Sequence, residues 1–455
     1  MSYSATANSP LFYGAQANSN SKSQQAYDKE LKASHHLIRN NPVVRVGALR
    51  FRASCIGNGA KPVFDSKLYP DEFIEEFKYW MDYCDFHEQS NFAGVQALAT
   101  LTAVVEGRAF IVRRRTIDRV PLRLEVVSPL AQASNLEKSG KNSYIKSGIL
   151  YSKNGKVQKY AFYKLPPDHD DFDEESVNWI SASDVIDLKD IHHPGQSTAQ
   201  PWITAGADFA QQYKDNQTVE IKSRMKRQAQ QVYALRDSDT SQNVSLPGSV
   251  NNSPPKKKLV HKAGGVTILD GVKDIKTASP PEMSGNYQEH NNQVLRMIAG
   301  LLGITYETLT GDLTQVNYSS IRAGMINHRL FIGQLRTITL EPAFNKVIGW
   351  FCEAWQLTLY PDLDDYFDNP YKYTMPTFIW PEWEEIDPLK AAKALALELN
   401  SDITSMEKVA NSRGATLNQH LDSVERSKDA INKRGLSKDE SFNASDDVKD
   451  DADDS

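Results

Sequence analysis

Between Ile321 and Phe351 large apolar residues return at helical spacing: Ile321, Met325, Ile326, Leu330, Phe331, Leu335, Ile338, Phe344, Val347, Ile348 and Phe351. A stripe of that length predicts a helix of roughly 45 Å at 1.5 Å per residue. One thin subunit offers too little partner surface to bury it, so part of this face is expected to be lent to another body. Pro342 lies inside the stripe. It removes a backbone donor and its ring collides with the preceding turn, so a kink is expected there. The segment GDLTQVNYSSIRAGMINHR, Gly311 to Arg329, leads into the stripe from another apolar helical stretch. It places a polar, Gly- and Thr-containing hinge deep inside the chain, and that position asks what touches it.

At 455 residues the chain has room for two or three domains or one elongated subunit. Its apolar share of 40% and mean hydropathy of −0.52 put much of it on surfaces, loops or interfaces. Three separated cysteines, Cys55, Cys84 and Cys352, argue against a disulfide framework and for a reducing compartment. The opening MSYSATANSPLFYG lacks a basic start followed by an apolar run, so no signal peptide is expected. The uncharged run Asn91–Val105 is too short to span a bilayer, which leads to the expectation of a soluble intracellular product with no membrane partner. Ser437–Ser455 holds eight acids and two lysines, which accounts for the whole net charge of −6. The remainder balances, so any contact with DNA must come from local basic stretches.

Residues 1–26 are rich in Ser, Asn, Ala and Gln and read as a disordered or partner-ordered arm. Helical spacing runs from Tyr27 to about Ile56, interrupted by Pro42. A second amphipathic helix follows Pro70 through Phe73, Phe77, Trp80 and Met81, and a third covers Phe92–Val105. Residues 107–190 change to alternation with turns, predicting a small antiparallel sheet region. Asn154-Gly155 is placed there as a type I′ hairpin turn. A long helix is expected over Pro201–Arg236, basic in its second half. Low-complexity residues 237–258 follow, then two short strands before Pro281. Val294, Met297, Ile298, Leu301 and Leu302 restore helical spacing up to Gly303. Beyond the long stripe, TFIWPEWEEIDP connects to KAAKALALEL and two short helices stopped by Gly414 and Gly435.

Phosphate-loop chemistry is missing from the sequence. Gly57-Asn58-Gly59 lacks a third glycine, and Gly140-Lys141-Asn142 lacks both the upstream glycine and the Ser/Thr that would hold magnesium. The most enzyme-like cluster is Asp168-His169-Asp170-Asp171-Phe172-Asp173-Glu174-Glu175, whose carboxylates and imidazole suit a divalent cation. Read plainly, it is a solvated acidic loop between strands. His192-His193 stands before Pro194-Gly195 without a second ligand pair nearby. No Gly-x-Ser-x-Gly elbow occurs. Two basic stretches remain: Lys222, Arg224, Lys226 and Arg227 on the long helix, and Lys256-Lys257-Lys258 after a proline pair. The second reads as a nuclear-import signal or as a phosphate- or partner-binding loop, and both stretches read equally as solvated charge.

The order LIRNNPVV, DFHEQSNFAGVQALATLTAVVEGRAFI, HHPGQ, MIAGLLGITYETLTGDLTQVNYSSIRAG and WPEWEEIDPLKAAKAL resembles the lambda-type portal proteins of tailed bacteriophages, over about Leu37 to Leu436. The family pattern has Arg before Pro-Gly-Gln and Arg-Gly after it, where this chain has His193 and Thr198-Ala199. The resemblance implies an α+β portal fold and a ring of about a dozen subunits at one capsid vertex, a homododecamer with closed symmetry. Through it the genome would be packaged and later ejected. It implies a wing at 27–196, a first stem helix at 197–236, a clip at 237–284 and a second stem helix at 285–303. A tunnel-loop region at 304–320, a crossing helix and wing-return connector at 321–387 and a crown at 388–436 follow, with an acidic disordered tail at 437–455. The implied partners are other copies of the chain, double-stranded DNA, the terminase large subunit, a head–tail adaptor, and major capsid and scaffold proteins. The implied location is the virion, after assembly in the host cytoplasm.

The hinge then acquires a role. Thr314, Gln315, Val316, Asn317 and Tyr318 would offer DNA an uncharged, flexible contact, whereas a wall of arginines would grip phosphates and resist sliding. Asn317 or Ser319 suits the N-cap of the helix that follows, and an ordinary capping loop is the competing reading. Lys256–Lys258 would face terminase and adaptor. The expectation is a structural ring that is not an enzyme and takes no cofactor and no metal. The alternatives are a metal-dependent hydrolase built on 168–175, or a monomeric nucleic-acid-binding protein using Lys256–Lys258.

Overall fold

The computed structural model describes residues 20–65, 67–165, 169–191, 196, 199–228, 232–236, 272–277, 287–314, 318–358, 363, 365–381, 383, 387–412 and 417–433. It opens with two helices, α1 (Asn20–Asn40) and α2 (Pro42–Ile56). The break falls where Pro42 was expected to make one. Pro42 is the first residue of α2, and the Asn41 side chain ahead of it accepts from the amides of Val43 and Val44 while donating to the Ala210 carbonyl at 2.8 Å. An N-cap followed by proline is a helix start, so the residue that ends one helix begins the next. Strand β1 (Lys61–Val63), α3 (Asp71–Tyr83) and α4 (Phe92–Glu106) come next, the last two matching the sequence reading closely.

The alternating region folds into β2 (Arg108–Arg114), β3 (Arg123–Val127), β4 (Ser143–Lys146), β5 (Ile149–Ser152), β6 (Val157–Tyr163), β7 (Val177–Ser181) and β8 (Val185–Lys189). Strands β4, β5, β6 and β7 form an antiparallel meander in that order, and β2 lies between β3 and β8 in a three-stranded sheet. The turn chemistry differs from expectation. Positive φ at both central positions occurs at Ser147 (49°) and Gly148 (70°), between β4 and β5. At Asn154-Gly155 only Gly155 is left-handed, at 77°, and the β5–β6 register shifts nearby. A turn that closes with one left-handed glycine and a bulge therefore replaces the expected type I′ turn. Gly148 is held for a second reason: a Cβ there would stand 2.4 Å from the Ala133 carbonyl oxygen.

The helix expected over Pro201–Arg236 is shorter. A 3-10 turn at Trp202–Gly206 precedes α5 (Ala207–Gln228), and Val232–Arg236 is strand β9, paired antiparallel with β10 (Val272–Thr277). Val232 and Tyr233 suit a strand, and pairing with a partner strand outweighs the helix preference of Ala234 and Leu235. Helices α6 (Tyr287–Leu301), α7 (Tyr306–Thr310) and α8 (Tyr318–Leu335) follow. A π-helical turn, Arg336–Leu340, joins α8 to α9 (Glu341–Trp355). Pro342 lies just past it, so the interruption takes the form of one widened turn before the proline. The chain continues through α10 (Pro370–Tyr373), β11 (Thr377–Ile379), α11 (Pro388–Asn400), α12 (Met406–Ser412) and α13 (Leu417–Lys433).

The chain divides into two compact units. The first comprises Met1–Arg52, Leu101–Phe110 and Val127–Gly333. Its core includes Leu31, Leu37, Phe51, Phe110 and Ile298, and Arg108, only 2% exposed, is buried as well. The guanidinium holds Asp187 through two bonds of 2.5 and 2.6 Å, donates to Gln132 Oε1 at 3.2 Å, and stacks over Phe110 at 4.5 Å. Burial pushes the Asp187 carboxyl upward, but Arg108 and Lys189 beside it hold it below the usual carboxylate range. The second unit comprises Ala53–Thr100, Ile111–Val126 and Gln334–Ser455. Its core is aromatic: Phe73, Phe77, Trp80, Phe92, Phe344, Phe351 and Trp355 are all buried. Among the described residues no helix is long and apolar enough to cross a membrane.

Candidate functional site

The hinge begins where α6 stops. Gly303 ends it in the left-handed region at φ 64°, and the Leu302, Gly303 and Ile304 amides bond back to carbonyls of its last turns. A side chain here is excluded twice over, because a Cβ would meet the Phe331 ring at 2.3 Å. His328 of α8 lies 2.8 Å from the Gly303 carbonyl oxygen through Nδ1, fastening the start of the hinge to the helix after it. Thr305 caps α7 by accepting from the Thr308 amide at 3.1 Å, and Gly311, at φ 74°, ends that helix.

Asp312 then gathers the exit. It accepts from the Thr314 amide at 3.0 Å and the Thr314 hydroxyl at 2.7 Å, and the Tyr306 hydroxyl donates to its other oxygen at 3.3 Å. The Thr314 hydroxyl and amide bonds hold the Asp312 carboxyl below its ordinary range. Arg296 stacks over Tyr306 at 5.2 Å, and Arg50 donates to the Thr308 carbonyl. The short helix before the loop is therefore clamped on several sides, and the two described residues that follow Asp312 face solvent. Leu313 is 61% exposed and Thr314 is exposed.

Of the five predicted contact residues, Thr314 stands at this exit. Gln315, Val316 and Asn317 lie outside the described residues, and Tyr318 is the first residue of α8, its side chain also outside them. Of the two N-cap candidates, Asn317 therefore lies outside the described residues, and Ser319 is the second residue of α8. Two further residues escaped the sequence reading. Leu313 is apolar and exposed, and Arg322, one turn into α8, is an exposed cation close in sequence to a loop read as uncharged. The Ser-Ile-Arg pattern gave the only signal for the second, since Ile321 faces partly inward and its neighbour outward.

The basic stretch on α5 is less bare than its sequence suggests. Lys222 is exposed, but Arg224 donates to Glu220 at 2.6 Å across one helical turn. Lys226 and Arg227 belong to α5, with side chains outside the described residues. Lys256, Lys257 and Lys258 lie wholly outside them. The acidic cluster is locally occupied: the Asp171 amide donates to His169 Nδ1 at 3.1 Å and the Glu175 amide to Asp173 at 3.0 Å. Asp168, His192 and His193 lie outside the described residues. Among the described residues, no three His, Cys, Asp or Glu side chains gather as a metal site.

The long stripe is covered unevenly. Phe344, Val347, Ile348 and Phe351 are buried, whereas Ile326, Leu330 and Ile338 are 48, 68 and 64% exposed. Residues 12–336 match the model of the phage portal protein lambda family, a span that takes in both candidate stem helices, the hinge and α8. The chain belongs to the lambda family of phage portal proteins. A relative described as a probable portal protein of Halomonas phage phiHAP-1 is 23% identical over 295 residues. That alignment takes in 62% of this chain and 55% of the relative, so the chain spans about half the length of the curated relative it matches. Among solved structures, a chain of the virion of the native gene transfer agent particle is similar with a TM-score of 0.47 and 12% identity, over 85% of this chain and 94% of that one. A chain from the neck of the native particle, computed with C12 symmetry, gives a TM-score of 0.45 and 14% identity, over 84% and 94%.

Proposed function

We propose that this phage portal chain closes into a ring that conducts double-stranded DNA, during packaging by a terminase and again during ejection. The family match over residues 12–336 carries the reading. The unevenly covered stripe of α8 and the π turn supports it, because exposed Ile326, Leu330 and Ile338 are side chains a neighbouring copy can cover. In this reading α5 and α6 serve as stem helices and β9 with β10 as the start and end of the clip. The clip would meet the terminase large subunit and then the head–tail adaptor, with Lys256–Lys258 facing them. Residues from Pro388 onward would form the crown within a shell built by major capsid and scaffold proteins. The activity is mechanical guidance, without a catalytic step in this chain.

The hinge from Gly311 to Tyr318 would line the channel. Its anchor at Asp312 is tight and its span beyond Thr314 is short and uncharged, which suits contact with a strand that must slide. Assembled particles carrying Gln315→Arg and Asn317→Arg test this. Rings should still form, while packaging slows at low salt and recovers as salt rises, since each guanidinium–phosphate bond contributes about 1.5–3 kcal/mol before screening. Packaging at the unaltered rate in low salt would remove the loop from the channel wall.

A further inference from the structure

From Lys138 to Lys164 the chain carries seven lysines and no acidic residue, although over its whole length acids outnumber bases, 58 to 52. The span covers β4, β5 and β6 of the four-stranded meander. Four of its lysines collect toward one end of that sheet. Lys153 and Lys156 flank the β5–β6 turn, and the Lys153 amide donates to the Asn142 carbonyl at 3.0 Å, which brings Lys141 alongside. Lys159 follows on β6, opposite Leu150 and Ser181 of the neighbouring strands. All four are exposed, and among the described residues none has an ion-pair partner. The acid that follows β7 most closely, Asp184, is already engaged.

The acidic residues Asp170 to Glu175 lie past the far end of β6, where Phe172 meets Tyr163 with ring centroids 4.9 Å apart. The seven residues of β6 separate them from the lysine turn. At about 3.4 Å per residue that is roughly 24 Å, whereas exposed charges are screened beyond about 8–10 Å. The lysine end therefore keeps its own positive field.

Composition says what such a field can meet. Protein–protein contacts favour aromatic, Met and Arg side chains and are poor in Lys. Here no large apolar side chain of β4, β5, β6 or their turns is exposed. Flexible ammonium groups on a rigid sheet, with nothing apolar between them and no planar fork to read a base edge, match a polymer of closely spaced phosphates.

We propose that Lys141, Lys153, Lys156 and Lys159 bind the phosphate backbone of double-stranded DNA without sequence preference, as a second DNA surface on residues other than the hinge. The choice of duplex DNA as the polymer rests on the reading of the chain as a DNA conduit.

Binding of the full-length protein to a short fluorescent duplex of mixed sequence, followed by anisotropy across a salt series, tests it. Four phosphate contacts contribute a slope of about −3.6 in log K against log salt. Lys141→Gln, Lys153→Gln, Lys156→Gln and Lys159→Gln together should remove a slope of about that size and weaken binding about tenfold or more at low salt. The four corresponding Arg replacements should keep both, and a duplex of different sequence should bind the unaltered chain equally well. In the unaltered chain the duplex should also protect these four amines from acetylation, read by peptide mass spectrometry, which needs no variant to fold. An unchanged slope in the Gln variant, or four amines acetylated equally fast with and without duplex, would overturn the inference. Tighter binding of polyglutamate than of duplex would overturn it too, and give the surface to an acidic protein. Rings of the unaltered chain, seen by negative stain, test the ring reading separately, so a failure here leaves that reading standing.

Discussion

In one unit Phe77 and Phe351 meet edge to face with centroids 4.8 Å apart, while in the other the largest fully buried side chain among the described residues is Arg108. The aromatic core is additive and forgiving in kind, since each ring contributes buried area and a modest geometric preference. The core around Arg108 depends on completeness. Its charge is tolerated because Asp187, Gln132 and the Phe110 face all answer it, and one missing partner leaves the rest exposed to the full desolvation cost. Equal single losses are therefore expected to behave differently when a second residue is removed.

The largest effects should come from single truncations at both centres. Asp187→Ala should destabilise its unit by about 3–5 kcal/mol, because it strands a buried guanidinium. Phe351→Ala should cost a similar amount, about 3–5 kcal/mol, by leaving a cavity. The contrast appears in the doubles. Arg108→Met with Asp187→Leu should recover most of the loss in urea denaturation followed by tryptophan fluorescence, since a buried ion pair replaced by well-packed apolar groups is often neutral. Phe77→Ala with Phe351→Ala should unfold earlier than either single variant. Recovery in both pairs, or in neither, would erase the distinction.

A smaller effect sharpens the comparison from within the aromatic unit, where the described residues include a buried cation, Arg336. Arg336, in the π turn, donates to the Cys55 carbonyl at 2.8 Å and the Ser54 carbonyl at 3.2 Å, closing the C-terminus of α2. Its guanidinium lies 4.6 and 5.0 Å from the Trp380 and Trp383 ring centres. Arg336→Ala should cost about 2 kcal/mol by leaving helix-end carbonyls unpaired, and Arg336→Lys should recover only part of it because the planar stack is lost. A lysine variant as stable as the original would show that charge alone matters here.

The smallest expected effect is a pH dependence at the seat of α1 in the Arg108 unit. His35 Nε2 lies 3.2 Å from Glu106, while the Tyr27 hydroxyl and the Ser34 hydroxyl donate to the Glu106 and Val105 carbonyls. The bond to Glu106 raises the His35 imidazole above its ordinary value of 6.5, against the effect of burial. A raised imidazole contributes stability that is fully present below pH 6.5 and is lost as pH climbs through the raised folded value. His35→Gln should flatten that dependence in denaturation midpoints measured across the neutral range. An unchanged slope would assign it elsewhere.

The same contrast explains what could be read from the sequence. Phe73, Phe77 and Trp80 recur at helical spacing, so the aromatic core was visible as periodicity. Arg108 and Asp187 are 79 positions apart, and nothing local in either strand says that one will face the other. The helix ends at Asn41-Pro42 and Gly303 were legible because capping is local chemistry. The strand at Val232–Arg236 was lost because its pairing with Val272–Thr277 is remote, and a local helical pattern ran up to it. At the hinge, the uncharged run was plain in the sequence, whereas the Asp312 knot that anchors it and the exposure of Leu313 and Arg322 needed the fold.

A closed ring with a hole for DNA is the proposal on which the rest depends. Purified full-length protein examined by native mass spectrometry, with negative-stain imaging of the same sample, tests it most directly. One closed oligomer is expected at micromolar concentration, seen end-on as a ring with a central hole. A stable, compact monomer at that concentration would contradict it.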